Sequence, residues 1–207
     1  MKKHIFVALA CFLVGTVLMN LEMKKDINMV SIHTDQSYIV NELQDLEVNS
    51  DVIIKARVLP DSVNETFETQ GGLTYYGITY TSLEVTNVFS GNVNIGDKLM
   101  ITEEYYYVDE LTVRNIFHTE NYGPSSAGQE YIFFLQKYPD NKSEFTGMYF
   151  PLGVEKGRYP ILKKQGSFSR GQSIITIDNF SNEELNLGAE DSKKYREIFE
   201  DVMQKYY

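Results

Sequence analysis

The densest run of side chains able to do chemistry lies between residues 103 and 128. It contains Glu103, Glu104, Tyr105, Tyr106, Tyr107, Asp109, Glu110 and His118. The carboxylates could gather around Ca²⁺, but they lack the alternate spacing of a dedicated Ca²⁺ loop. Tyrosines give a large contact area at a small entropy cost, so this run, together with Tyr75 and Tyr76, could form an aromatic binding face. Strand alternation would place part of the run in the core.

Catalytic chemistry has few candidate residues in this sequence. Beyond the first 25 residues the histidines are His33 and His118, and the chain has no H-E-x-x-H motif. A metal-dependent hydrolase could use His118 with Glu120, or with the pair Glu103 and Glu104. A lone histidine near an acid is more typical of a solvated side chain. We therefore expect a protein that is not an enzyme and that uses no cofactor and no metal.

The first 25 residues have the pattern of an export signal. A basic head at residues 1–4 precedes an apolar run at residues 5–19, and the segment closes at Lys24 and Lys25. Apolar side chains occupy every face of the run, unlike the single stripe of a helix packed on a soluble core. The pattern predicts delivery across a bacterial-type plasma membrane.

Three fates of this leader remain open, namely cleavage as a signal peptide, retention as an N-terminal membrane anchor, and lipidation at Cys11. No clean A-x-A cleavage site follows the apolar run, which is short against the roughly 20 residues of a spanning helix. The run Ala8-Leu9-Ala10-Cys11 loosely resembles a lipobox. It would leave an apolar core below the roughly 7–15 residues that such a signal normally has. Cys11 is the only cysteine, so no disulfide is expected in the body.

Beyond the leader, the body is acidic and has the length of one domain. Removing four lysines and one glutamate from 19 basic and 29 acidic residues leaves 15 and 28, a net charge of −13. Such a field repels nucleic acid and anionic lipid, so membrane contact is expected only through the N-terminal segment. We expect residues 26–36 to be a linker or a loosely held edge segment and residues 37–207 to form a single domain.

Hydrophobic periodicity predicts a mainly β body flanked by two helices. A short N-terminal helix would be capped by Ser37 and carry Ile39, Leu43 and Leu46 on one stripe. An amphipathic C-terminal helix would occupy about residues 190–206. Residues 60–72 and 103–128 are expected to be loops. Strands are predicted at 52–59, 75–89, 98–102, 130–135, 148–152, 158–162 and 173–177.

Four segments carry a resemblance to a known group of domains. They are NSDVIIKARVL, YTSLEVTNVFSGNVNIGDKLMIT, AGQEYIFFLQK and GRYPILKKQGSF, which together run from about Ser50 to Phe168. In order and spacing they resemble exported bacterial domains of unknown function that are related to OB-fold and netrin-like barrels, the latter including tissue inhibitors of metalloproteinases. The resemblance implies a small antiparallel barrel and no particular activity. Netrin-like inhibitors act through an N-terminal cysteine and disulfides, and this body has no cysteine.

The sequence thus predicts a non-catalytic binding module outside the cytoplasm, secreted or anchored in the bacterial envelope by its leader. Its partner is expected to be a protein or a peptide. The expected binding surface is the segment from Glu103 to Gly128, because recognition often lies on loops that a rigid barrel holds in place. The alternatives are the metal-dependent hydrolase described above and a purely structural envelope domain.

Overall fold

The computed structural model of this 207-residue chain describes residues 25–32, 39–141, 143–162, 180–188 and 192–207. Within these residues the chain forms two helices and ten strands. The helices are α1 (Leu43–Asn49) and α2 (Lys193–Tyr206). The strands are β1 (Asp26–Ile32), β2 (Val52–Val58), β3 (Val63–Glu68), β4 (Thr74–Ser90), β5 (Lys98–Glu103), β6 (Tyr105–Asp109), β7 (Val113–Thr119), β8 (Glu130–Lys137), β9 (Tyr149–Pro151) and β10 (Arg158–Pro160).

Five of the strands close into a small barrel. Its order is β8-β2-β4-β5-β9, and β9 returns to pair with β8. All neighbours are antiparallel except β5 and β9, which pair in parallel at Ile101 and Tyr149. Closure leaves these strands without free edges. The structure therefore confirms a mainly β fold with an OB-like barrel and a helix toward each end of the body.

Strand alternation places two apolar clusters on the two sides of the barrel wall. The interior holds Val52, Ile54, Ala56, Val58, Leu83, Val85, Ile101, Tyr131, Phe133 and Leu135. The residues between them on β2 and β8 face outward, and Ile53, Ile132 and Phe134 join a second cluster with both helices. Because β8 is covered on both faces, its sequence is an almost unbroken apolar run.

The C-terminal helix packs its apolar stripe on this outer cluster. Tyr195, Ile198, Phe199 and Val202 are buried there. The ring centroids of Tyr159 and Tyr195 lie 4.9 Å apart. The spacing of apolar residues predicted both this helix and its buried side, which the structure confirms.

The N-terminal helix begins later than its sequence pattern predicts. The Asp45 carboxylate accepts hydrogen bonds from the backbone amides of Asn41 and Glu42, at 2.8 and 3.2 Å, and so fixes the start at Leu43. Ile39 consequently lies outside the helix and is exposed, whereas Leu46 is buried. The predicted cap Ser37 lies outside the described residues.

Two segments that we did not predict as strands form strands. Residues 63–68, within the predicted loop 60–72, form β3 and pair with the first half of β4. Residues 26–32, within the predicted linker or edge segment, form β1, which pairs in parallel with β7. Together β1, β7 and β6 make a three-stranded sheet in the order β1-β7-β6. The strand predicted at 173–177 lies outside the described residues.

The leader and its predicted boundaries also lie almost entirely outside the described residues. In the part of the chain that the structure describes, no helix is long and apolar enough to cross a membrane. The division into leader, linker and single domain stays a prediction.

Candidate functional site

The segment expected to be a binding loop is a β-hairpin. Residues 105–109 form β6 and pair antiparallel with β7, with Tyr105 opposite His118 and Tyr106 opposite Phe117. The expectation of one long loop from residue 103 to residue 128 is therefore corrected. The strand period of two directs Tyr105 and Tyr107 to one face of this hairpin and Tyr106 to the other.

The tyrosines of this hairpin are largely interior. Tyr105 and Tyr106 are both 7% exposed. The Tyr106 ring stacks on Phe117 at 5.0 Å between centroids and lies directly against Gly77 of β4, where any side chain would collide with it. Burial raises the pKa of Tyr105 well above its ordinary value. These two residues do not form an exposed aromatic surface, because β4 covers one face of the hairpin and the turn near Tyr122 covers the other.

Tyr107 differs from its two neighbours because it stays partly exposed. The Arg114 guanidinium lies over its ring, 4.2 Å from the centroid. Arg114 also pairs with Asp109 through two hydrogen bonds of 2.7 and 2.9 Å. The backbone amide and carbonyl of Tyr107 are both bonded to the side chain of Asn64, which joins β6 to β3.

Glu103 closes one end of the barrel interior in a polar plug, which we define as Glu103, Arg158, Tyr122 and Ser125. The Arg158 guanidinium lies 3.2 Å from the Glu103 carboxylate, and both side chains are almost fully buried. The Tyr122 hydroxyl donates to Glu103 at 2.8 Å, and the Ser125 hydroxyl donates to the same oxygen. The other Glu103 oxygen accepts from the Thr81 hydroxyl. This carboxylate is therefore fully engaged inside the protein.

Arg158 connects the polar plug to the backbone of two other segments, at Gly123 and at Asn186. Its guanidinium donates to the carbonyls of Gly123 and Asn186, both at 2.8 Å. It also lies 4.3 Å from the centroid of the Tyr122 ring. Sequence reasoning missed Arg158, which is separated from Glu103 by 55 residues. A single arginine in an apolar strand was the one available signal.

Glu104 points away from Glu103, because the two residues are neighbours in an extended chain. The Thr119 hydroxyl donates to its carboxylate at 3.3 Å, and burial raises the pKa of Glu104. Asp109 forms ion pairs with Arg114 and with Lys25. The acidic residues that we expected could surround Ca²⁺ thus lie in separate environments.

His118 is buried against the segment that precedes α2. A side chain at Gly188 would lie 2.7 Å from the His118 ring carbon Cε1, so the ring and the backbone are in close contact. Glu120 lies in the turn that follows β7. Within the described part of the chain, no three or more His, Cys, Asp or Glu side chains are grouped so that they could hold a metal ion. The suggested hydrolase site therefore gains no support from the geometry.

Partly exposed aromatic side chains meet on the outside of β3, β4 and β5. We call this the aromatic face and define it as Phe67, Tyr76, Tyr80, Tyr138 and Phe145. Phe67 pairs with Tyr76 across the β3–β4 ladder, and their rings stack at 5.7 Å. Tyr138 stacks on Phe145 at 4.7 Å. The sequence indicated Tyr76 as a candidate, but it did not reveal the other four residues.

A side-chain hydrogen bond connects the aromatic face to the barrel. Thr102 of β5 lies opposite Tyr80, and its hydroxyl is 2.8 Å from the Tyr138 hydroxyl. Tyr138 therefore folds back over the outer surface of β5 and buries Thr102. Tyr76 is 42% exposed at the outer end of this surface.

Carboxylates border the aromatic face. Burial and then the charge of Glu104 raise the pKa of Tyr76. Burial, together with Glu65, raises the pKa of Tyr80 to about 12. The negative charge of Glu144 also raises the pKa of both Tyr76 and Tyr80. Neutral phenol rings beside several carboxylates can stack on flat or apolar groups, donate hydrogen bonds and attract a cation.

Comparison with known proteins adds no assignment to this geometry, since no protein-family model and no curated protein matches the chain.

Proposed function

We propose that this protein is a non-catalytic binding module that acts outside the cytoplasm, secreted or anchored in a bacterial envelope by its leader, and that its partner is a protein or a peptide. The observation that carries the proposal is the aromatic face. It replaces the tyrosines of β6 as the candidate surface, because Tyr105 and Tyr106 are interior.

The place of the aromatic face within the barrel supports a binding role. OB-folds bind their ligands on the face of their second and third strands and on two adjoining loops. Counted along this barrel, those strands are β4 and β5, and the adjoining connections are residues 59–73 and 138–148. Every member of the aromatic face belongs to these strands or connections. The analogy concerns the place of binding, and the ligand must be argued from the side chains.

The side chains favour a protein or peptide that carries a basic group. A lysine or arginine side chain can lie over Tyr76 or Tyr80 while its charge meets Glu65 or Glu144. Phosphate backbones would meet like charge, because the chain carries a net charge of −10. The resemblance to netrin-like modules, many of which bind proteins, is part of the same proposal.

Site-specific photocrosslinking tests this proposal. A photoreactive residue at position 76 in the producing cells should capture a partner, and the same residue at position 75 should not, since neighbouring strand residues point to opposite faces. The captured partner is then purified and its affinity measured. Tyr76→Ala should weaken binding at least about tenfold, the loss expected when an anchoring aromatic side chain is truncated.

Tyr75→Ala is the matched control, because Tyr75 is an exposed tyrosine on the same strand. It should bind the partner as the wild type does. Equal affinities for wild type, Tyr76→Ala and Tyr75→Ala would refute the aromatic face as the binding surface.

A further inference from the structure

Among the residues that the structure describes, no strand pairs with the outer edge of β1. The Asp26 amide donates to the Thr112 carbonyl at 2.9 Å, and the Ile32 carbonyl accepts from the Glu120 amide at 3.2 Å. Backbone groups alternate in direction along a strand, so those of residues 26, 28, 30 and 32 point toward β7. The groups of residues 27, 29 and 31 therefore point away from it. Among the described strands, only β7 pairs with β1.

Exposed apolar side chains lie along this edge of β1. Ile27 is 67% exposed and Met29 is 37% exposed. Natural proteins usually protect a long edge strand with lysine, proline or a bulge. Residues 26–32 include none of these residues, and their pairing with β7 runs without a register shift.

We propose that β1 joins two copies of this chain by antiparallel pairing about a two-fold axis at Met29. In this register Met29 lies opposite Met29 of the second copy, and Ile27 lies opposite Ser31 in both directions. All three residues have outward backbone groups, so each facing pair forms two hydrogen bonds. The two three-stranded sheets become one sheet of six strands.

The charges along β1 are compatible with this register. Asp26 is the single charged residue of the strand, and it lies opposite Ile32 of the second copy. No like charges face each other, and the exposed Met29 side chains contact each other at the axis. A shift by one residue would place inward-pointing groups opposite outward-pointing ones and lose the hydrogen bonds.

The other edge of the three-stranded sheet limits the assembly to two copies. The Asn64 side chain occupies the Tyr107 amide and carbonyl on β6, at 2.7 and 3.1 Å. A two-fold contact between identical patches closes on itself. A single strand pair buries less surface than the roughly 1,200–2,000 Å² of a standard stable interface. We therefore expect a weak dimer that forms at high concentration.

Paired cysteines test the register directly in the full chain carrying Cys11→Ser. A tagged Ile27→Cys chain is mixed with a Ser31→Cys chain and oxidised. Opposite residues are about 5.5 Å apart between Cα atoms, within disulfide reach. Two Ile27 positions lie four residues apart along the strands, or roughly 14 Å, which is too far. Mixed dimers should form at least tenfold faster than dimers of either single variant.

Leu111→Cys is the control for random collision, since Leu111 is 87% exposed at the β6–β7 turn. Met29→Cys should crosslink to itself much faster than Leu111→Cys does. The proposal is overturned if the two rates are equal, or if Ile27→Cys dimers outpace the mixed dimers, because neither result fits antiparallel pairing at Met29.

A charge placed on the axis gives a second, independent measurement. Met29→Glu sets two carboxylates against each other and should abolish dimerisation in sedimentation equilibrium, with Leu111→Glu unchanged as the control. The melting temperature of each variant shows whether it remains folded. A folded Met29→Glu chain that dimerises as the wild type does would overturn the proposal.

Discussion

At the residue scale, the adjacent residues Glu103 and Glu104 have different surroundings and different interaction partners. Glu103 points into the barrel and meets Arg158, whereas Glu104 points outward beside the aromatic face. Burying an ion pair is costly, and removing one partner is worse, because it leaves the other charge uncompensated. The polar plug is therefore a structural element whose members depend on one another.

Glu103→Gln should destabilise the protein by about 3–5 kcal/mol, the usual cost of leaving a buried charge without its partner. Urea denaturation measures the change. Arg57→Gln is the control, because Arg57 pairs with Glu84 at 3.4 Å with its side chain 48% exposed. That surface pair should contribute no more than about 1 kcal/mol. A denaturation midpoint for Glu103→Gln equal to that of the wild type would contradict the role assigned to the polar plug.

Glu155 should make stability depend on pH. Burial raises its pKa above the ordinary value of 4.5, and the nearby Lys156 only partly opposes this. The neutral form is then favoured in the folded state, so the stability contribution is fully present below pH 4.5 and is lost as pH rises through the folded pKa. Relative to the wild type, Glu155→Gln should thus gain stability as pH rises above 4.5.

Denaturation at a series of pH values from 4 to 8 measures this difference. Glu68→Gln, an exposed glutamate on β3, controls for the substitution itself. A constant difference between Glu155→Gln and the wild type across the series would show that Glu155 titrates alike in the folded and unfolded protein.

At the scale of elements, α2 completes the outer core. An isolated helix of about this length is marginal in water, so its apolar side must pack on the barrel to hold it. Phe199 lies at the centre of that contact and is 2% exposed, with its ring 6.0 Å from that of Tyr159.

Phe199→Ala should cost roughly 3–5 kcal/mol of unfolding free energy, because it removes a buried aromatic ring and leaves a cavity. Chemical denaturation gives the value. Glu200→Ala, the next residue on the exposed side of the same helix, should stay within about 0.5 kcal/mol of the wild type. An unchanged midpoint for Phe199→Ala would mean that α2 is detached in solution and free to contact a partner.

At the scale of the whole molecule, three separate surfaces can be distinguished. The first is the outer face of β2 and β8, which the helices cover. The second is the outer face of β4 and β5, which carries the aromatic face. The third is the edge of β1 that does not pair with β7 in the three-stranded sheet. The proposed partner site and the proposed self-pairing edge lie on different strands. A substitution such as Tyr76→Ala should therefore weaken partner binding without affecting dimerisation, and Met29→Glu should do the reverse.

Protease treatment of intact cells tests the proposed location. If the leader exports the body, added protease should digest it in intact cells while a cytosolic marker survives. The mass of the mature N-terminus then distinguishes cleavage, anchoring and lipidation at Cys11. A body that is protected until the cells are lysed would refute export.

The sequence by itself determined the barrel strands and the terminal helix. Apolar residues at a period of two, as in β4, or at helical spacing, as in α2, state which side chains share a face within one element. This information is local, and it was sufficient for the fold class. It failed for β3 and for the β6–β7 hairpin, where polar and aromatic residues conceal the strand pattern.

Only the tertiary structure decided which residues act together. Pairing β6 with β7 and packing the hairpin on β4 turned Tyr105 and Tyr106 into core residues. Barrel closure brought Arg158 to Glu103, and strand pairing set Phe67 beside Tyr76. Periodicity specifies the faces of one strand but not the strand that covers them. Contacts between distant segments arise only when the whole chain packs, and both the polar plug and the aromatic face are made of such contacts.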